Sequence, residues 1–296
     1  MIVQRPAAAP QPGERRVPGK QGGRAWRASV YACLFAYLGT SGPAIAEQDD
    51  VSKALDSTAT QWSLQTAYQV MPDYHTDEIS SGVMRPAGAD NYLQVRMVAP
   101  LAFDNLTVLP RLTLRHYENA QGQSGFGNTE LFALMIPKSW DWGNGRMGLG
   151  PLITAPGDKE VARDEWGYGV AGAVVNTSGN WFYGVLLTQS WRSVDPAALP
   201  PGTSDTNPLG IAPFLNYQLG GGWYIGNGDM VAQYDWDSNK FYLPIGVRVG
   251  KVSVKPKGSW NFYFEYQTAA IYDDWPGAAV KNSYRLNVTY TWPLGN

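Results

Sequence analysis

The chain of 296 residues holds one cysteine, Cys33, and two histidines, His75 and His116. One thiol excludes an internal disulfide framework and Cys-ligated metal sites, and two histidines leave little from which to build a transition-metal centre. Long hydrophobic runs are also missing. The most apolar stretch, Ala28 to Leu38, is roughly eleven residues, short of the ~20 that a membrane-spanning helix needs. Beyond it no i, i+3, i+4, i+7 stripe persists, and Gly and Pro interrupt the chain too often for long helices. Gly125-Phe126-Gly127 and Gly226-Asn227-Gly228 are not phosphate loops, because no helix follows to present its amides.

What is present begins with an export signal. Residues 1–46 are basic and rich in Pro and Gly up to Arg27, then apolar, and end in Ala44-Ile45-Ala46, the small-x-small pattern read by a signal peptidase. Cleavage after Ala46 is expected. The removed segment carries six of the 23 basic residues, one of the 25 acids and the only Cys, so the mature chain is thiol-free with a formal charge of −7. An acidic chain disfavours nucleic acid as a partner. Residues 47–60 are predicted to form a periplasmic N-terminal segment and residues 61–296 a single domain. Whether the acidic stretch 47–59 lies outside that domain or enters it is open at this level.

The domain is marked by strict alternation. Gln61, Ser63, Gln65, Ala67 and Gln69 interleave with Trp62, Leu64, Thr66, Tyr68 and Val70, and Ser283, Arg285, Asn287, Thr289 and Thr291 with Tyr284, Leu286, Val288, Tyr290 and Trp292. One face is polar and charged; the other is greasy and aromatic. A transmembrane β-barrel, whose strands need only ~9–11 alternating residues to cross, explains both faces. The bursts predict an all-β, antiparallel up-and-down barrel of about twelve strands, near 61–71, 90–100, 105–117, 127–137, 145–154, 165–176, 180–192, 208–219, 222–236, 240–251, 259–271 and 282–293. Connections alternate between tight links, such as Thr177-Ser178-Gly179 and Gly220-Gly221-Gly222, and long polar stretches, such as 72–89 and 193–207. These read as periplasmic turns and extracellular loops of a protein in the bacterial outer membrane.

Aromatic residues gather near the predicted strand ends. Trp62, Trp142, Trp181, Trp223, Trp260 and Trp292 would form one interfacial girdle; Tyr117, Trp166, Trp191, Trp236 and Trp275 the other. Because a charge at mid-depth on the lipid face costs ~2–4 kcal/mol, parity sends Arg96, Arg111, Arg115, Arg248, Arg285, Glu130, Asp229 and Glu265 to the lumen as candidate pathway residues. Asp235 and Gln233 of strand 222–236 point to the lumen with Asp229. Two strands stay undetermined. In 165–176 no charge marks a face, and in 180–192 Gln189 and Arg192 fall on opposite faces. Pro110, Pro137, Pro151, Pro213 and Pro244 sit inside predicted strands, where each removes a ladder donor, so bulges or kinks are expected.

The succession Gly125-Phe126-Gly127-Asn128-Thr129-Glu130-Leu131, Gly148-Leu149-Gly150-Pro151 and Trp181-Phe182-Tyr183-Gly184-Val185-Leu186 resembles the outer-membrane barrel family of transporters associated with the meta-pathway of phenol degradation. Ile211-Ala212-Pro213-Phe214-Leu215-Asn216-Tyr217, Gly222-Trp223-Tyr224-Ile225 and Tyr242-Leu243-Pro244-Ile245-Gly246-Val247 continue it. The resemblance implies a porin-like barrel taking up aromatic or other hydrophobic compounds, and supplies no binding residues.

The expected function is passive passage of small solutes, hydrophobic or aromatic ones included, through a monomer surrounded by membrane lipid and lipopolysaccharide. No cofactor and no catalytic residue is implied. Two alternatives remain open. A lipid-modifying, phospholipase-like enzyme requires a Ser–His pair on the outer wall, and neither His75 nor His116 has such a context. A plugged, adhesin-like barrel would bind through the loops 72–89 and 193–207.

Overall fold

A computed structural model describes residues 50–55, 61–80, 83–162, 165–192, 207–273, 275 and 278–293. The export segment 1–46, most of 47–60 and the loop 193–206 lie outside the described residues. Among those described, twelve antiparallel strands close into a barrel. In chain order they are β1 (Gln61–Thr76), β2 (Asp90–Val98), β3 (Leu106–Glu118), β4 (Thr129–Pro137), β5 (Gly145–Ala155) and β6 (Gly167–Ser178). Then follow β7 (Trp181–Arg192), β8 (Pro208–Gly220), an interrupted β9 (Trp223–Gly226 and Ala232–Asp235), β10 (Lys240–Lys255), β11 (Gly258–Ile271) and β12 (Ala279–Pro293). Each strand pairs with its sequence neighbour, and β1 pairs with β12 in unbroken register from Gln61↔Pro293 to Val70↔Tyr284, which closes the wall. No helix among the described residues is long and apolar enough to cross a membrane; strands do so.

The two faces obey the period of two that a pleated strand imposes. Along β12, Ser283, Arg285, Asn287 and Thr291 are buried while Tyr284, Leu286 and Val288 are exposed; along β11, Asn261, Tyr263 and Glu265 are buried while Trp260, Phe262 and Phe264 are exposed. A wall whose outward side chains are this apolar is stable only against hydrocarbon. Along β6, the small residues Gly167, Ala171 and Ala173 point inward and Tyr168, Val170 and Val174 outward, with Trp166 exposed just before the strand. On β7, Arg192 faces the lumen, whereas Gln189 lies on the outer face near the rim, where its Oε1 accepts the indole N–H of Trp236 at 2.8 Å.

At the end carrying the tight turns, Trp62, Trp260, Tyr290 and Trp292 stack in one patch, with Trp62–Trp292 and Trp260–Tyr290 centroids 6.2 and 4.7 Å apart. Trp166, Trp191 and Trp236 are exposed at the opposite rim. Two girdle expectations need correction. Tyr117 lines the interior on the same face as Arg115, and Trp275 leans on the inward Tyr242 with centroids 5.6 Å apart. Parity within the strand overrides the preference of aromatics for interfaces.

Strand 222–236 is not continuous. β9 pairs with β8 through Asn216↔Gly226 and again through Gly210↔Gln233, leaving residues 227–231 off the ladder with one residue more than their partner strand. One extra residue flips every later side chain to the other face. Tyr224 therefore faces inward in the first half and Gln233 in the second, so no single parity describes this strand. The expected kinks are fewer than the prolines: Pro110 and Pro151 keep regular register, whereas Pro213 lies opposite the surplus residue of 227–231 and Pro244 coincides with a register shift at Leu243/Pro244.

Near the tight-turn end of the interior a one-and-a-half-turn helix, α1 (Asp50–Leu55), packs Val51, Ala54 and Leu55 on the inward cluster Tyr224, Val252 and Tyr263.

Candidate functional site: a charged lumen facing an apolar wall

The interior has two chemically different sides. β3 to β8 turn inward Leu109, Phe132, Leu134, Leu152, Phe182 and Phe214, with the Phe182 and Phe214 rings stacked at 5.3 Å. Sequence reading missed this wall for a physical reason: on β4, Leu131 and Met135 face lipid while Phe132 and Leu134 face the lumen, so apolarity alone carries no alternation there. The signal available was parity with Glu130, two residues before Phe132.

The other side, built by β10–β12 and β1–β3, carries charge. Asp229, on the inward segment 227–231, contacts Arg96 of β2 and Arg285 of β12 at 3.4 and 3.3 Å, both through the same carboxylate oxygen. Glu265 of β11 is fully buried and accepts the Asp229 backbone N–H at 2.8 Å, an Arg248 Nη2 contact at 3.2 Å and the Gln267 amide. Arg111 pairs with Glu130 at 3.5 Å and lies over the Phe132 ring at 4.3 Å, where the charged and apolar sides meet. Arg115 donates to Gln94 at 3.0 Å. All eight sequence-derived pathway residues thus stand on the interior, in two groups. Asp229, Arg96, Arg285, Arg248 and Glu265 form one; Arg111, Glu130 and Arg115 the other.

Tyrosines complete the network, and composition had hidden them. Gln69 accepts from Tyr92 and from Arg285, and Tyr263 accepts from Gln65 at 3.2 Å while lying 4.2 Å beneath the Arg248 guanidinium. Tyr92 shares its face with Gln94 and Arg96, and Tyr263 with Glu265; again parity was the available signal.

Toward the long-loop end the interior opens into a cavity of about 580 Å³. Arg115, Glu130, Thr188, Ser190, Arg192 and Gln233 supply its polar lining, and Leu152, Val161, Ala162 and Val231 its apolar lining. The loop 156–162 is folded over it by Asp158, whose carboxylate accepts the Phe126 N–H at 2.6 Å and whose own N–H donates to the Phe126 carbonyl at 2.8 Å. His116 meets Phe126 edge-on at 5.2 Å and His75 stacks on Tyr272 at 4.1 Å; among the described residues neither makes a hydrogen bond to a serine. Among the described residues no group of three or more His, Cys, Asp or Glu side chains is placed to hold a metal ion.

A closed twelve-strand antiparallel barrel with a lipid-type outer belt and a charged interior defines a bacterial outer-membrane β-barrel, and the outer membrane is its location. No family model matches the chain, and no curated protein matches it significantly in sequence. Among solved structures it is similar to an outer membrane channel from Pseudomonas putida F1, with a TM-score of 0.53 and 15% identity over 86% of this chain and 99% of that one. The KdgM porin follows with a TM-score of 0.43 and 11% identity over 77% of this chain and 98% of that one. Outer membrane phospholipase A from Escherichia coli has a TM-score of 0.44 and 12% identity over 82% and 98%. At these identities the likeness is one of fold.

Proposed function

We propose that the protein is a passive outer-membrane channel for small solutes with an apolar or aromatic body. The observation that carries this reading is the two-sided interior: an apolar wall from Leu109 to Phe214 faces a guanidinium-lined side, below a cavity of about 580 Å³ open to the long-loop end. A twelve-strand barrel is wider than the ~8-strand size whose side chains alone fill it, and an apolar inner wall adds nothing to the passage of a fully hydrated solute. The P. putida structure of similar fold is an outer membrane channel, which supports the same class. The resemblance to the phenol-degradation transporters agrees in solute type. The phospholipase alternative gains no support from the histidines, whose ring partners are Phe126 and Tyr272.

Liposome swelling with purified protein tests the proposal. Small aromatic solutes are expected to enter faster than sugars of equal mass; vesicles that stay sealed to both would refute passage, and faster sugar entry would refute the solute class.

A further inference from the structure

We infer that the arginines around Asp229 form a recognition site for the carboxylate of an amphipathic acid, and that Asp229 is a built-in competitor occupying it. The inference takes its transport meaning from the channel reading above, but the site stands on its own geometry.

Three observations meet here. First, donors outnumber acceptors. Asp229 offers Arg96 and Arg285 one oxygen at 3.3–3.4 Å, while the Nε atoms of Arg96, Arg111 and Arg285 are buried without a hydrogen-bond partner. Arg285 is only 3% exposed. Unsatisfied guanidinium N–H groups this deep are costly, and a guanidinium fork is matched by both oxygens of a carboxylate rather than by one. Across the eight charged residues described above, five arginines face three acids, an excess of positive charge of the kind that selects anions in pores.

Second, Asp229 is delivered by a segment that has left the wall. Residues 227–231 make no ladder pairs with β8 or β10. Asn227 substitutes for the ladder, accepting the Leu215 N–H and donating to the Pro213 carbonyl, both at 2.8 Å. Gly228 follows with φ +82°, and a Cβ there would meet the Glu265 carboxyl carbon at 2.9 Å. A positive φ combined with so little clearance requires glycine at this position. The segment is therefore held by a few replaceable contacts, not by a continuous sheet.

Third, the apolar component lies next to the charge. Val231, two residues after Asp229, lines the cavity together with Leu152, and Arg111 touches Phe132. A ligand with an apolar body and one carboxylate would rest on this wall and present its anion to Arg96, Arg111 and Arg285. Its two oxygens would replace the single oxygen of Asp229.

The test uses octanoate, with octanol as its uncharged counterpart, and reads two quantities on full-length protein purified from outer membranes. Calorimetric titration of detergent-held protein reports the site; single-channel conductance in planar bilayers reports the channel. Octanoate should bind and octanol should not. Asp229→Asn should tighten octanoate binding by about tenfold or more, and Arg285→Gln should weaken it by a similar factor, since each changes a charge-assisted contact. Asp229→Glu, which restores the competitor, should return to the wild-type value. Should Asp229→Asn fail to fold, as shown by loss of heat-modifiable migration, Arg96→Gln on a different strand carries the same expectation as Arg285→Gln. Equal binding of octanol, or octanoate affinity indifferent to these substitutions, overturns the site while a conducting pore leaves the channel reading intact. Binding that follows the expected order in a barrel that passes no ions supports the site and refutes the channel.

Discussion

The carboxylate of Glu265 accepts the backbone N–H of Asp229 at 2.8 Å while contacting the Arg248 guanidinium at 3.2 Å. One fully buried acid thus anchors both a neighbouring strand and the segment 227–231 that leaves the ladder. Glu265→Gln keeps the shape and removes the charge, leaving Arg248 with the Tyr263 ring as its main partner. Breaking a buried pair by one member costs about 3–5 kcal/mol. Urea unfolding in phospholipid vesicles should show a loss of that order, and the double substitution with Arg248→Met should recover part of it.

The outer face is governed by hydrocarbon. Leu286, 61% exposed at the middle of β12, should tolerate no charge: Leu286→Arg is expected to destabilise the barrel by ~2–4 kcal/mol, and Trp292→Arg, near the strand end, by about 1 kcal/mol or less. The same unfolding assay compares them. Equal costs at both depths would contradict the assigned lipid belt.

Gln189 is the polar exception on that face, and Trp236 answers it. Trp236→Phe removes the indole donor and leaves Gln189 Oε1 without this bond, at an expected cost of about 1 kcal/mol. Gln189→Leu in the Trp236→Phe background should restore stability, because an apolar pair needs no hydrogen bond at the rim.

Helix α1 is held by three apolar side chains. Leu55→Asp should detach it from Tyr224, Val252 and Tyr263, since a burial contribution of ~1.5–3 kcal/mol for a leucine is replaced by a solvated carboxylate. Single-channel conductance should rise, and limited proteolysis should cut within residues 47–60 faster than in the parent. Unchanged values for both would place the helix outside the conduction path.

How much was legible follows from where polarity contrasts existed. β1, β11 and β12 carry amides, Arg285 or Glu265 against Leu64, Phe264 or Leu286, and their faces and register could be read directly. β6 could not be oriented by polarity, because Ala171 carries no more contrast than the lipid-facing Val170, and on β4 and β5 the inward Phe132 and Leu152 are as apolar as Leu131 and Ile153, so that on β4 Glu130 alone marked the face. β9 was read as one continuous strand because a surplus residue at 227–231 changes no composition, yet that residue inverts the parity, so that Tyr224 and Gln233 both face inward. Arg192 and Gln189 were undecidable until Trp236 supplied the outward one with a partner.

What the amino-acid order decided by itself is the barrel class and, wherever polarity contrasts exist, the faces: hydrocarbon penalises each charged side chain singly, so a period of two written along the chain yields an approximate strand number, the turn placement and the polarity of those strands. The meeting of Asp229 with Arg96 and Arg285 belongs to the tertiary structure alone. Those residues lie 133 and 56 positions apart in sequence, and only closure of β1 on β12, together with a break in β9 that turns its backbone inward, brings their charges within reach of one another.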